Sequence, residues 1–258
     1  MQKGAVQTEE PESSACPTEG DEKPVEKGRR KLRLPSEVVY AASVLLIAVA
    51  VSMTVTAGLG VSMIVAPAYL LSEKVSFLTF GQSEYILQGV LFVGFCFAVR
   101  RFKPVYLSSF VTCLIYGAVL DLVRRVVPLF NAAATPSESL SMPARVLLLM
   151  GGMVLTSFAI ALFFKVYLYP QVYDFFVIGL VTRYRLKKGL FKTGFDLLFL
   201  AVSVAMSFLF FGKIAGIGWG TLAMALCNGT LTGAFSHLFD RTVSVVPLFP
   251  RFAKLFEV

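Results

Sequence analysis

Apolar residues run in long blocks along this chain, at Val38–Ala57, Tyr85–Val99, Tyr106–Val123, Val146–Tyr169, Leu197–Phe211 and Ile217–Leu238. A helix needs about 20 predominantly apolar residues to cross the hydrocarbon of a bilayer, and these blocks with their flanks reach that scale. Each is read as a helix, because a spanning segment in lipid must satisfy its backbone groups internally. Two further apolar stretches are too short to cross. Val61–Ser72 is led in by Gly58-Leu59-Gly60 and interrupted by Pro67; Val172–Thr182 is led in by Tyr169-Pro170 and carries Asp174. Irregular backbone at membrane depth survives only inside protein or beside a water-filled cavity. Paired broken segments in corresponding halves of a chain point to a transporter-type site.

The halves align. With residues 58–123 laid over 168–235, Lys103 falls on Lys213 and Tyr85 on Phe195, and Gly117 falls on Gly229 after a two-residue slip. Each half reads long span, short broken segment, polar lead-in, span, basic turn, span. The pattern predicts an all-α fold: a polytopic membrane helix bundle of two internal repeats, with six transmembrane helices and two short re-entrant segments. If the short segments cross instead, there are eight crossings and the halves are parallel rather than inverted. Charge does not separate the two. Eighteen Lys and Arg fall inside in the first arrangement and nineteen in the second, so both obey the positive-inside rule. Length favours six.

Composition fixes the class: 56% hydrophobic residues, 24 Phe and a mean hydropathy of +0.74 exceed the usual share of a soluble domain. Residues 1–36 differ, with seven acids among Pro, Ser and Thr and no apolar periodicity, which predicts a disordered tail. Lys27, Arg29, Arg30, Lys31 and Arg33 crowd the start of the first span and suit anionic lipid headgroups. Val38–Ala57 is longer than a signal-peptide core, so the first span is expected to be uncleaved with its amino terminus in the cytoplasm. The expected organisation is a cytoplasmic tail over 1–36, a transmembrane domain over 37–240 and a short cytoplasmic segment over 241–258. The net charge of +8 sits in turns at span ends, so topology control explains it and no nucleic-acid partner is implied. Of four cysteines none forms a CxxC pair, and His237 is the only histidine, so no metal or cofactor site is expected.

Charged groups inside spans cost about 2.5–3.5 kcal/mol each on insertion scales, so each needs a reason. Asp174, between Tyr173 and Phe175 in the second broken segment, is the foremost candidate: it suits cation binding or proton uptake, against a plain role in capping the short helix. Asp121 lies three and four residues before Arg124 and Arg125, which fits an interfacial ion pair. Asp196 and Glu84 open spans, where a carboxylate suits the helix dipole. Lys165 is expected to snorkel, with pairing to Asp174 as the alternative. Asp174, Asp121 and Asp196 are the candidate ion-coupling residues. Asp174, Tyr173, Ser62, Pro67, Pro170 and Gly60 form the candidate substrate site. The run Gly216–Thr221 lacks the βαβ context of a dinucleotide fingerprint; together with Gly229 and Gly233 it reads as small residues that let helices approach.

Several of these residues carry a family resemblance. Gly58-Leu59-Gly60-Val61-Ser62 with Pro67 and Leu71-Ser72, Phe80-Gly81, Gly117-x-x-x-Asp121, Pro170-x-x-x-Asp174, Phe195-Asp196 and Gly216–Thr221 with Gly229 resemble the YczE/YitT-type bacterial integral membrane proteins over residues 38–238. Met63 stands where that family usually has Pro, and Gln88 where Asn is common. The resemblance implies a fold and a bacterial inner-membrane location rather than a reaction.

No Ser-His-Asp grouping, zinc spacing or P-loop occurs, and an enzyme is not expected. The leading expectation is a secondary transporter or exporter of a small solute, with its site between Gly58–Ser72 and Tyr169–Thr182. The alternative is a membrane-embedded accessory or scaffold protein that transports nothing. The bilayer is the expected partner, and a homo-oligomer is left open.

Overall fold

The computed structural model describes residues 32–99, 106–168 and 171–248. Among these, helix lengths run long, short, long, long, and then do so again. The first set is α1 (Ser36–Ala57, 22 residues), α2 (Ala66–Lys74, 9), α3 (Phe80–Val99, 20) and α4 (Leu107–Val126, 20). The second is α5 (Met142–Phe163, 22), α6 (Val172–Tyr184, 13), α7 (Lys188–Phe211, 24) and α8 (Trp219–Thr242, 24). Local chemistry sets several boundaries. Gly58 turns into the left-handed region with φ 61° and donates its N–H to Val55, ending α1. Pro67 and Pro143 sit in the first turns of α2 and α5, where a missing N–H does no harm.

Five helices, α1, α3, α4, α5 and α7, are long and apolar enough to cross a membrane. The sixth expected span, Ile217–Leu238, is a helix of sufficient length but not one of the five. Asn228, Thr230, Thr232, Ser236 and His237 dilute its apolar character.

The core centres on α1. Val44, Ile47, Val51 and Val55 pack with Tyr116 and Leu120 of α4, Ala159 and Phe163 of α5, and Phe80 of α3. Helix α5 continues this layer onto α8. The two short helices occupy equivalent places, for α2 and α6 each pack on both α3 and α7.

Polar contacts tie down the two ends of the bundle. At one end, Glu37 accepts hydrogen bonds from the Tyr167 hydroxyl at 2.9 Å and from Leu248 N–H at 3.0 Å. Burial, and then the Glu37 carboxylate, push the Tyr167 phenol up to about 12, so it remains a donor at neutral pH. Lys165 pairs with Asp240 at the same end; the alternative pairing with Asp174 is not formed. Two strands complete this end: β1 (Leu32–Pro35) pairs in parallel with β2 (Val243–Val246), from Leu32 opposite Val243 to Pro35 opposite Val246. The expectation of disorder over 1–36 is therefore corrected at residues 32–36, where an extended segment finds backbone partners past the end of α8. Residues 1–31, including Lys27–Lys31, lie outside the described residues.

At the other end, Arg145 in the first turn of α5 donates from Nε to Ala57 O at 2.7 Å and from Nη2 to Gly58 O at 2.8 Å. These are orphan carbonyls at the end of α1, which a guanidinium satisfies well. Lys74, at the end of α2, donates to Phe210 O near the end of α7 at 3.0 Å.

Candidate functional site

The first broken segment is held by glycines against glycines. Residues 58–65 run from the end of α1 into the protein without regular helix. Val61 N–H donates to Gly216 O at 3.0 Å, Gly220 N–H to Leu59 O at 2.9 Å, and the Thr221 hydroxyl to Val61 O at 2.7 Å. The backbones approach so closely that a Cβ at Gly60 would stand 2.6 Å from Gly218 N, and one at Gly218 would stand 2.5 Å from Leu59 O. Gly60 also has φ 111°, a conformation that L side chains rarely adopt. The Ser62 carbonyl accepts from Val65 and Ala66, starting the turn into α2, where Pro67 is buried. The small-residue reading of Gly216–Thr221 thus has its partner, which is Gly58–Val61. A Cβ added at Gly229 or Gly233 would meet no neighbour within 4 Å among the described residues.

The second segment brings α6 in with its amino terminus against the middle of α3. Val172 N–H donates to Gln88 Oε1 at 3.2 Å, and Gln88 Nε2 donates to Glu84 Oε2 at 3.0 Å. The Tyr173 hydroxyl donates to the same Glu84 oxygen at 2.9 Å. Glu84 and Gln88 are both 0% exposed. Glu84 Oε1 is enclosed and has no hydrogen-bond partner. Thus the expectation that Glu84 serves as a simple helix cap is corrected. Helix α3 begins at Phe80, and Asp121 supplies its start from α4, accepting from the Thr79 hydroxyl at 2.5 Å and Gly81 N–H at 2.8 Å. Glu84 is left one turn inside, facing the core. An acid and an amide four residues apart in an apolar helix share one face, and that spacing was the available signal for this pair.

The candidate residues separate into three places. Tyr173 joins Glu84 and Gln88. It also packs with Val177, Phe195 and Phe199, against which Ile64 of the first broken segment rests. The two broken segments therefore meet across an aromatic layer. Asp174 points elsewhere on α6, to the seam with α7, where Lys192 lies 3.9 Å from it and 3.6 Å from Asp196. Asp196 does not open its helix, because α7 extends back to Lys188. Asp121 stands apart at the start of α3, with its carboxylate used by Thr79 and Gly81. Pro170 lies outside the described residues.

Among curated proteins and among solved structures, none matches the chain. The YczE/YitT name receives no support from the family comparison, although the expectation of a family without an assigned activity agrees with it. A family model covers residues 34–237, from the strand before α1 into the last turns of α8, and so spans all but the final residues of the helical region described above. The chain belongs to the family of unknown function DUF6198.

Proposed function

We propose that this membrane protein is a secondary transporter of a small solute, built from two inverted halves with its site between the two broken segments. The observation that carries the reading is the pairing of two short helices, α2 and α6, each preceded by non-helical backbone and each packed on both α3 and α7. Broken helices near the midplane, at the interface of repeats, are the recurrent construction of secondary transporters.

The end contacts support inversion. Arg145 binds Ala57 and Gly58, so the end of α1 and the start of α5 share one membrane face. Between them α3 and α4 cross twice and return the chain to that face only if α2 does not cross. Pairing of β1 with β2 likewise sets the start of α1 and the end of α8 on one face. That requires an even number of crossings, and with α2 and α6 re-entrant the less apolar α8 must be the sixth. On this reading α2 returns to the face of Arg145 and α6 to the face of Glu37, in opposite senses. The face bearing Glu37 and the basic stretch Arg183–Lys192 is the cytoplasmic one by the positive-inside rule.

Liposomes carrying the purified protein test the reading. Against a panel of small metabolites and ions, at least one should be taken up faster than by protein-free vesicles and raise the melting temperature in detergent. Asp174→Asn should slow that uptake while leaving the melting temperature nearly unchanged, because the half-exposed contact with Lys192 contributes little, about 0–1 kcal/mol. Folded protein that moves and binds nothing in such a panel would favour the scaffold reading.

A further inference from the structure

We propose that Glu84 is a proton-binding site in the membrane interior, assembled by Gln88 and Tyr173, through which proton movement is coupled to the solute; the coupling rests on the transporter reading, the proton site does not. Three observations place it. Glu84 lies on a helix apolar enough to span, yet is 0% exposed, and buried intramembrane acids persist where they have a task. Its two oxygens are treated unequally. Oε2 accepts from Gln88 and Tyr173, whereas Oε1 is enclosed without a partner. Finally, the site is joined to the second broken segment. Gln88 also accepts from Val172, so the carboxyl group is connected to the first N–H of the short helix α6.

A proton suits this geometry better than a metal ion. No Lys, Arg or His among the described residues forms an ion pair with Glu84. No group of three or more His, Cys, Asp and Glu that could hold a metal ion is found among them. The titratable groups that face Glu84 are Cys113 and Tyr116 from α4 and Tyr173 from α6. Tyr69 and Glu73 of α2 interact instead with Arg124. All of the facing groups are neutral when protonated, so one proton changes the local charge by a full unit with no counter-ion to blunt it. The step is simple: the carboxylate takes one proton from water on one face, becomes a carboxylic acid, and returns the proton to water on the other. In the charged form Oε2 holds Tyr173 and Gln88 strongly; in the neutral form those bonds weaken, because bonds to an ionised acceptor are roughly twice as strong. Helix α6 is thereby bound more or less firmly to α3 according to the proton.

Infrared spectroscopy of the purified protein in lipid, titrated from acid to alkaline pH, tests this. A carboxylic-acid carbonyl band should be lost on alkalisation, be absent from Glu84→Gln and persist in Asp174→Asn. A band set unchanged by Glu84→Gln would overturn the proposal. Should Glu84→Gln fail to fold, Tyr173→Phe keeps the ring and removes one donor. It should displace the titration midpoint of the band, whereas Tyr184→Phe, whose hydroxyl bonds Ala98 O, should not. An unmoved midpoint in Tyr173→Phe would equally overturn it. The band with no solute uptake by the wild type would retain the proton site and remove the transporter reading. Uptake driven by a pH gradient that survives undiminished in Glu84→Gln would keep the transporter reading and overturn the coupling through Glu84.

Discussion

Gly60→Ala should cost about 3 kcal/mol or more and leave little protein in the membrane, while Gly229→Ala should be neutral or slightly stabilising. The same added methyl group has opposite consequences because of where it lands. At Gly60 it would stand 2.6 Å from Gly218 N and 2.7 Å from the Thr221 hydroxyl oxygen, and neither neighbour is the free end of a flexible side chain. A non-glycine residue at φ 111° adds strain of about 1–3 kcal/mol, and overpacking adds about 1–3 kcal/mol more. Separation of the backbones would also break the bond from Thr221 to Val61 O and that from Gly220 to Leu59 O. At Gly229 the methyl meets nothing among the described residues, and alanine is the better helix former by up to about 1 kcal/mol. Expression level and melting temperature of the two variants, measured side by side, check the expectation.

Asp121→Ala should lower stability by about 2–4 kcal/mol, and Asp121→Asn by less. This carboxylate was expected to pair with Arg124 and Arg125. It holds the start of α3 instead, accepting from Thr79 and Gly81 at 2.5 and 2.8 Å. Hydrogen bonds to a charged group contribute about 1.5–3 kcal/mol each, and loss of the acceptor also leaves the first turn of α3 without its cap. The same seam is one of close approach. A Cβ at Gly81 would overlap the Gly117 carbonyl oxygen, and a Cβ at Gly117 would overlap the Tyr85 ring. A fall of roughly 5–15 °C in melting temperature corresponds to that free energy in a chain of this size. Unchanged melting would return Asp121 to the ion-coupling role.

Much of the architecture was legible in the residues. The long apolar blocks became helices, and the two stretches too short to cross became α2 and α6 at matching places. Gly216–Thr221 was recognisable as a run of close approach and Gly58-Leu59-Gly60 as the lead-in to a broken segment, although nothing in their order showed that the two approach each other. That contact joins residues some 160 positions apart, and local pattern carries no such information. Glu84 was misjudged for a related reason. Its role depends on α3 beginning at Phe80, and that start is fixed by Asp121 from a different helix. Lys165 was likewise assigned to snorkelling or to Asp174, nine residues on, when its partner Asp240 comes from the end of α8. The strand pair formed by Leu32–Pro35 and Val243–Val246 left no signal either, since neither segment has a local reason to be extended without the other.

In the proposed arrangement α2 and α6 each enter and leave the membrane on one side, in opposite senses. In a variant with the native cysteines replaced, single cysteines at Phe77 and at Leu186 test it, since both side chains are exposed between helices. Labelling with a membrane-impermeant thiol reagent in intact cells and in inverted vesicles should reach Phe77→Cys only from outside and Leu186→Cys only from the cytoplasm. Reaction of both positions from the same side would mean that the short helices cross, and would contradict the inverted arrangement.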